Sequence, residues 1–200
     1  MFSKLRQKLN YVSEMARFYY TKNLLRSNII LGCSFIGGGE ICVQKMKKYN
    51  DSNNKYSITD IAQKAGIGGV LNTFQYYYYR WLDGKLMGTQ FKTIIKKMLM
   101  DQFIAAPSCI AIFFIMSGML KSFSINEGID NLKCHFLEVY ILDWSVWPMI
   151  QFINFKYIPH QFRVAYITTF TFLWAILLCY VDLQVIKPPY FYFIFYQYLK

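Results

Sequence analysis

The chain has 200 residues, enough for one domain of ordinary size, and it is 55% hydrophobic and 20% aromatic. Charged residues make up only 16%, against about 25% in a typical soluble domain, yet the net charge is +11. Few but clustered basic residues favour a membrane protein whose charges lie outside the bilayer, and nucleic-acid binding is the rival interpretation of so basic a chain.

The first 28 residues form a basic amphipathic segment with six basic side chains and one acid, Glu14. No apolar stretch long enough for a secretory signal precedes the first apolar segment, so secretion is not predicted. The composition is typical of a mitochondrial targeting segment. A basic helix lying against anionic lipid explains it equally well.

Five apolar segments predict membrane-embedded helices. Two of them, 103–120 and 164–181, carry no charge, and each would rise about 27 Å as a helix, close to the ~30 Å hydrocarbon core. The other three carry polar residues, which a bundle tolerates where they face protein; they are 29–43, 61–82 and 136–158. The sequence therefore predicts an all-α, multi-spanning integral membrane helical bundle over 29–182, with four full spans and a fifth amphipathic or embedded helix.

The aromatic tail, 183–200, is too short to span a bilayer, and the sequence indicates no function for it. Small residues four apart favour close helix packing inside the bundle. The pairs are Ser34 and Gly38, Ala62 and Gly66, and Ala65 and Gly69.

Polar, partly basic links are predicted over 45–60, 83–97 and 121–138. The four lysines of the second link anchor a helix at anionic headgroups in one interpretation, at about 1 kcal/mol each. In the other they contact RNA phosphates of a partner. These candidate partner-contacting residues are Lys85, Lys92, Lys96 and Lys97.

The stretch DWSVWPMIQFINFKYIPHQFR, residues 143–163, threads amides, indoles and prolines through an apolar run. On a helix, Trp144, Trp147, Gln151 and Asn154 share one face, which predicts contact with protein or water inside the membrane. Pro148 should kink this helix or mark its first turn, and Pro159 should end it. Arg163 would then reach a phosphate or an acid such as Asp143.

No catalytic, cofactor-binding or metal-ligating residue is predicted. The five cysteines include no CxxC pair, and neither His135 nor His160 has a partner at a recognised catalytic spacing.

The residues of this stretch resemble a signature of the Mpv-seventeen/peroxisomal membrane protein family, WPxxQxxNFxxxPxxxR. Three further elements resemble the family: DQxxxxP at Asp101-Gln102 and Pro107, GDxxxQ at Gly39-Glu40 and Gln44, and WYxxLD at Tyr78-Tyr79 to Leu82-Asp83. The candidate family-signature or pore-facing residues are Trp144, Trp147, Pro148, Gln151, Asn154, Phe155, Pro159, Arg163, Asp101, Gln102 and Glu40.

The similarity extends over about residues 20–182 and is closest to the Mpv-seventeen-like protein two branch, through IIKKMLMDQ and QFRVAYITTFTFLW. The chain departs from the family where Gly-Pro and then His commonly precede the Trp-Tyr pair. Those positions hold Asn72-Thr73 and Tyr76, so the chain lacks the histidine at this position.

The resemblance implies a small four-span protein of the mitochondrial inner membrane or the peroxisome, with no catalytic site. The leading hypothesis is a non-enzymatic inner-membrane protein that supports mitochondrial homeostasis and gene expression, through mitochondrial ribosome assembly or mitochondrial DNA maintenance. The alternative is a non-selective channel or metabolite pore of mitochondria or peroxisomes. The expected partners are the lipid bilayer, mitochondrial ribosomal particles and a homo-oligomer, with no cofactor and no direct DNA contact.

Overall fold

The chain is described by a computed structural model over residues 14–15, 17–50 and 56–184, without the side chains of 50, 175 and 177–184. All regular structure in these ranges is helical, which confirms the all-α prediction. The tail from residue 185, and half of the basic segment 1–28, lie outside the described residues. Besides a short helix over residues 17–22, the described residues form α1 Leu24–Asn50, α2 Ile58–Lys85, α3 Phe91–Met100, α4 Ala106–Ser122, α5 Ile125–Tyr157 and α6 Arg163–Gln184.

The links are shorter than the sequence predicts. A π-helical turn, Asp101–Ala105, joins α3 to α4, so 91–122 runs as one long helix. Only residues 123 and 124 separate α4 from α5, where Phe123 adopts the left-handed conformation and Ser124 Oγ accepts from Glu127 N at 3.4 Å. The polar stretch 121–138 is therefore mostly the first part of α5 rather than a loop. So short a link makes α4 and α5 antiparallel neighbours.

Glycines set the closest helix crossings. A Cβ added to Gly32 on α1 or to Gly68 on α2 would collide with the backbone of the other helix. Gly118 and Gly128 make the same kind of contact between α4 and α5. Of the predicted small-residue pairs, Ala65 and Gly69 lie at the α1–α2 contact. A Cβ atom added to Gly38 or to Gly66 would have no neighbouring atom within 4 Å.

Among the described residues, two helices are long and apolar enough to cross a membrane, Leu24–Tyr49 and Phe91–Ser122. This criterion of length and composition is also met by long core helices of soluble proteins. The first of the two contains 29–43, one of the three apolar segments that carry polar residues. The uncharged run 164–181 lies in α6, where many side chains are outside the described part. The number of full spans therefore stays a prediction.

The alternating direction of the helices gives the bundle two ends. One end, here called the Asp83 end, holds the last turns of α2 and α5 and the first turns of α1, α3 and α6. A short helix over residues 17–22 packs there, with the Tyr20 ring stacked on Phe162 at 5.4 Å between centroids. Burial raises the pKa of Tyr20 to about 12, so its hydroxyl stays protonated and donates to Asn28 Oδ1.

Candidate functional site

Four polar side chains from three elements meet inside the bundle and are called here the polar cluster: Tyr79, Asp101, Gln151 and Asn154. Each is at most 4% exposed. Gln151 Nε2 donates to Tyr79 Oη at 2.7 Å and to Asp101 Oδ2 at 2.7 Å. Gln151 Oε1 accepts from Asn154 Nδ2 at 3.0 Å, so one side chain connects the other three.

The π-helical turn explains how Asp101 reaches this position. Pro107 follows in the first turn of α4 and has no backbone N–H to continue the α-helical ladder. The wider turn before it re-routes the hydrogen bonds, with Ala106 N donating to Asp101 O. Both Asp101 and Gln102 are buried as a result. Such π-helical insertions are frequent at functional sites, which gives the DQxxxxP element a structural meaning.

The polar cluster borders a cavity of about 320 Å³, here called the central cavity. Its wall is mainly apolar, with Asp143, Trp147 and Thr168 adding polar groups beside Asp101 and Gln151. Asp101 Oδ1 and Asn154 Oδ1 are buried without a hydrogen-bond partner among the described residues. An apolar wall with a few convergent polar groups is typical of a site for a small molecule.

A second group of buried hydrogen bonds involves Asn72 and Thr168, which also line the central cavity. Asn72 Nδ2 on α2 donates to Asn28 O and to Thr168 Oγ1, each at 2.9 Å. The three residues are at most 3% exposed and join α1, α2 and α6. Asn72 stands where the resembled family commonly has other residues, so the departure supplies an interhelical tie. This role of Asn72 was not predicted, because no spacing pattern in the sequence relates α2 to α6.

Arg163 pairs with Asp83 at the end of α2 rather than with Asp143, which corrects the partner expected from the sequence. Lys97 Nζ lies 2.7 Å from the same oxygen, Asp83 Oδ1. The Lys97 and Arg163 side chains are 4% and 7% exposed, and that of Asp83 is 23% exposed. Arg163 also lies over the Phe155 ring, 5.2 Å from its centroid, and Phe155 is 1% exposed.

The remaining signature residues fall in several places. Trp147 lines the central cavity, whereas Trp144 is 36% exposed and packs edge-on against Phe103. Pro148 lies inside α5, and Pro159 follows its end, as expected.

Glu40 is distant from the polar cluster. It accepts from Gln44 Nε2 at 2.9 Å, and Gln44 Oε1 in turn accepts from Ser57 N at 3.0 Å. This contact fastens the end of α1 to the start of α2, which indicates a structural role for the GDxxxQ element.

The four candidate lysines divide into two groups. Lys85, Lys92 and Lys96 are exposed at the Asp83 end, on α2 and α3. Lys97 is buried against Asp83, so it is not on the outer surface that a macromolecular partner would contact.

Within the described residues, no group of three His, Cys, Asp or Glu side chains could hold a metal ion. The polar cluster has a carboxyl, a phenol and two amides. Such groups can form hydrogen bonds with a polar solute and orient it.

The geometry defines a class: a multi-helix bundle with helices long enough to cross a bilayer and a polar cluster at its centre. The Mpv17 / PMP22 family model matches residues 118–179, which contain all of α5 and the signature stretch. No solved structure matches the chain.

Three relatives match along most of their lengths. PXMP2/4 family protein 2 of Dictyostelium discoideum is 27% identical over 151 residues, 74% of this chain and 78% of the relative. The mitochondrial inner membrane protein Mpv17 of Danio rerio is 26% identical over 157 residues, 76% and 86% of the two chains. Peroxisomal membrane protein 2 of Bos taurus is 28% identical over 139 residues, 66% and 68%.

These findings agree with the resemblance to the Mpv-seventeen/peroxisomal membrane protein family found in the sequence, and the chain is similar to that family over residues 118–179. They agree with the prediction that the chain is a membrane protein and not an enzyme. Two of these relatives are named for their membranes, the mitochondrial inner membrane for the Danio rerio protein and the peroxisomal membrane for the Bos taurus protein. They do not single out a branch, so closeness to the like-two branch stays a prediction.

Proposed function

We propose that the chain supports mitochondrial homeostasis from the inner membrane by letting small polar solutes pass through its helical bundle. The observation that carries this proposal is the central cavity with its polar cluster. A polar atom buried in a membrane protein needs a partner, because lipid offers none. Asp101 lines the central cavity, and its Oδ1 has no protein partner among the described residues, so water or a polar solute is its natural complement.

The cavity volume of about 320 Å³ indicates the size of the solute. It falls at the lower end of small-molecule sites, which are roughly 300–1,000 Å³. A polar metabolite of low molecular mass fits this description. The same solute class serves the peroxisomal alternative, since the cavity carries no feature specific to one membrane.

The first prediction tests this conduit with Gln151→Leu. The substitution removes the amide that connects Tyr79, Asp101 and Asn154, so permeability to small polar solutes should fall severalfold. The free energy of unfolding should fall by about 1–3 kcal/mol, because the substitution leaves buried polar groups without this partner. Swelling of proteoliposomes in sugars of increasing size measures the permeability, and thermal unfolding in detergent measures the stability.

Asn131→Leu is the matched control, since Asn131 is an exposed amide on the same helix. It should leave permeability unchanged. If proteoliposomes with the unaltered protein are no more permeable than protein-free liposomes, the conduit is wrong.

A second candidate function is a membrane platform for mitochondrial gene expression, such as ribosome assembly. The observation that favours it is the exposed lysine group, Lys85, Lys92 and Lys96, at one end of the bundle. Clustered lysines bind RNA phosphates by releasing counterions, so binding weakens as salt rises. Anchoring at anionic headgroups uses the same charges, and it is the competing role.

The second prediction separates these roles by changing Lys85, Lys92 and Lys96 to Gln together. If they contact RNA, co-sedimentation with mitochondrial ribosomal particles at low salt should be lost while membrane insertion is retained. The matched control changes three exposed lysines near the end of α1, on the side of the bundle opposite the Asp83 end: Lys45, Lys47 and Lys48. Equal loss in both triple variants would indicate general charge attraction, and absence of co-sedimentation for the unaltered protein would contradict the platform.

A further inference from the structure

A second pocket opens at the Asp83 end, between the last turns of α2 and α5, the link that follows α2, Lys97 of α3 and the first turn of α6. Its volume is about 430 Å³, and it shares no lining residue with the central cavity. Four of its lining residues are basic: Lys97, Lys156, His160 and Arg163. Asp83 is the acidic residue among those that line it. This space is called the basic pocket.

The charges inside the basic pocket do not balance. Lys97 and Arg163 both approach the same oxygen of Asp83, and both cations are more deeply buried than the acid. Two buried cations against one carboxylate leave a net charge of +1 away from bulk water. An uncompensated charge in such a place is costly, and an anion from outside would offset it.

Donors for an anion are available. The Lys97 ammonium has three N–H groups, and the described residues show one partner for them, Asp83. Lys156 stands exposed at the rim, with Nζ 5.1 Å from the Tyr157 ring centroid and 5.3 Å from that of Phe152. His160 is exposed on the link that follows α5. The donors therefore come from α3, the end of α5 and the link before α6.

We propose that the basic pocket binds a phosphate group, carried either by an anionic phospholipid headgroup or by a free phosphorylated solute. A phosphate offers several acceptor oxygens to cations arriving from different directions, and lysine and arginine are its usual ligands. The pocket is large enough for the group that bears the phosphate as well. The proposal does not depend on the conduit, because the two spaces are lined by different residues.

The location suits both sources of phosphate. α5 has 33 residues and is about 50 Å long, so it is some 20 Å longer than the hydrocarbon core it would cross. Its final turn can therefore lie at headgroup level or beyond. Exposed aromatic residues surround the pocket, Phe91 at 68% and Tyr157 at 64%, as is typical of membrane interfaces. Basic pockets between helices at this depth recognise lipid phosphate groups.

The third prediction is tested on the full chain purified in an uncharged detergent at low ionic strength. Thermal unfolding is followed with four probes: dioctanoyl phosphatidic acid, dioctanoyl phosphatidylcholine, inorganic pyrophosphate and sodium chloride matched for ionic strength. A ligand that binds only the folded state raises the unfolding temperature in proportion to its affinity. Phosphatidic acid or pyrophosphate should raise it, and phosphatidylcholine and chloride should not.

Substitution at the rim assigns the effect to the pocket. Lys156→Gln with His160→Gln should weaken the apparent affinity by about tenfold, the effect of losing about 1.4 kcal/mol of charge-assisted contact. The matched control is Lys133→Gln with His135→Gln, an exposed lysine and histidine near the other end of α5. Lys156→Gln alone provides a smaller change if the double variant unfolds.

The outcomes separate the two sources. A shift with phosphatidic acid only assigns the site to a headgroup, and a shift with pyrophosphate assigns it to soluble phosphates. The proposal is overturned if neither anion shifts the unfolding temperature, if phosphatidylcholine shifts it as much as phosphatidic acid, or if rim and control variants respond alike. None of these results requires solute flux, so failure here is distinct from failure of the conduit.

Discussion

Asp83 accepts from two buried cations on two other helices through one oxygen. Lys97 arrives from α3 and Arg163 from the start of α6, so the carboxylate fixes three elements at the Asp83 end. Arg163 is held further by Phe155 O, at 3.4 Å, and by Ile158 O, at 3.3 Å. Removing the Asp83 carboxylate would leave both cations buried without a counter-charge. This costs more free energy than breaking an exposed ion pair.

The fourth prediction is that Asp83→Ala lowers the free energy of unfolding by about 3–5 kcal/mol, the usual loss when one partner of a buried ion pair is removed. Thermal unfolding in mild detergent measures it. Asp130→Ala is the control, because Asp130 and Lys133 are 73% and 72% exposed and form a 3.5 Å pair. Exposed pairs contribute about 0–1 kcal/mol. Equal losses in the two variants would show that Asp83 is not a structural centre.

The sequence identified part of the polar cluster. Gln151 and Asn154 were found by their shared helical face, and Asp101 by its resemblance to a family element. Asp83 and Tyr79 lie in the WYxxLD element but were not selected, because the element does not show what its residues contact. The Asn72–Thr168 tie gave no signal, since 96 positions separate the two residues and no local pattern relates helices so distant in the chain.

At the scale of helices, the α1–α2 crossing depends on a register that spacing alone does not give. The sequence showed that small residues recur at intervals of four on α2, but this interval fits several helix faces. Packing selects Gly68, whose added Cβ would meet Ile36 Cβ and Cγ1 at 2.8 Å, and it leaves Gly66 exposed. The two glycines differ in environment while sharing one helix.

The fifth prediction therefore compares Gly68→Ala with Gly66→Ala. At Gly68 the new methyl group collides with α1, and overpacking of this kind costs about 1–3 kcal/mol. At Gly66 the methyl meets nothing within 4 Å, so the helix should gain about 0.5–1 kcal/mol from lower backbone entropy. Unfolding temperatures in detergent should move in opposite directions. A fall for both variants would place the α1–α2 contact elsewhere.

The lengths of the links between helices were overestimated from the sequence, because polar residues were taken to be loop residues. Lys92, Lys96 and Lys133 read as loop residues, yet all three lie on helices. A helix that extends beyond the hydrocarbon core can carry charges on its surface, because those turns are in water or among headgroups. Polarity therefore marks where a helix leaves the bilayer and not where it ends. Helix ends are better marked by Ser57 and Ser124, whose side chains cap α2 and α5.

For the whole molecule, the alternating helices sort the links between two ends. The α2–α3 and α5–α6 links lie at the Asp83 end, with the basic pocket between them. The α1–α2 and α4–α5 links lie at the other end. If α2 and the long helix 91–122 each cross the bilayer, the two sets of links face different compartments, and the basic pocket and exposed lysines face one of them only.

The last prediction tests this arrangement by attaching a bulky, membrane-impermeant maleimide to single cysteines in a chain freed of its own five. Met87→Cys and Tyr157→Cys report the Asp83 end, and Tyr49→Cys and Phe123→Cys the other; all four positions are at least 64% exposed. In sealed vesicles one pair should react, and the other only after detergent is added, because a polar reagent of this size passes neither lipid nor a cavity of about 320 Å³. Reaction of Met87→Cys together with Tyr49→Cys in sealed vesicles would mean that α2 does not cross, and the bundle would then lie within one leaflet.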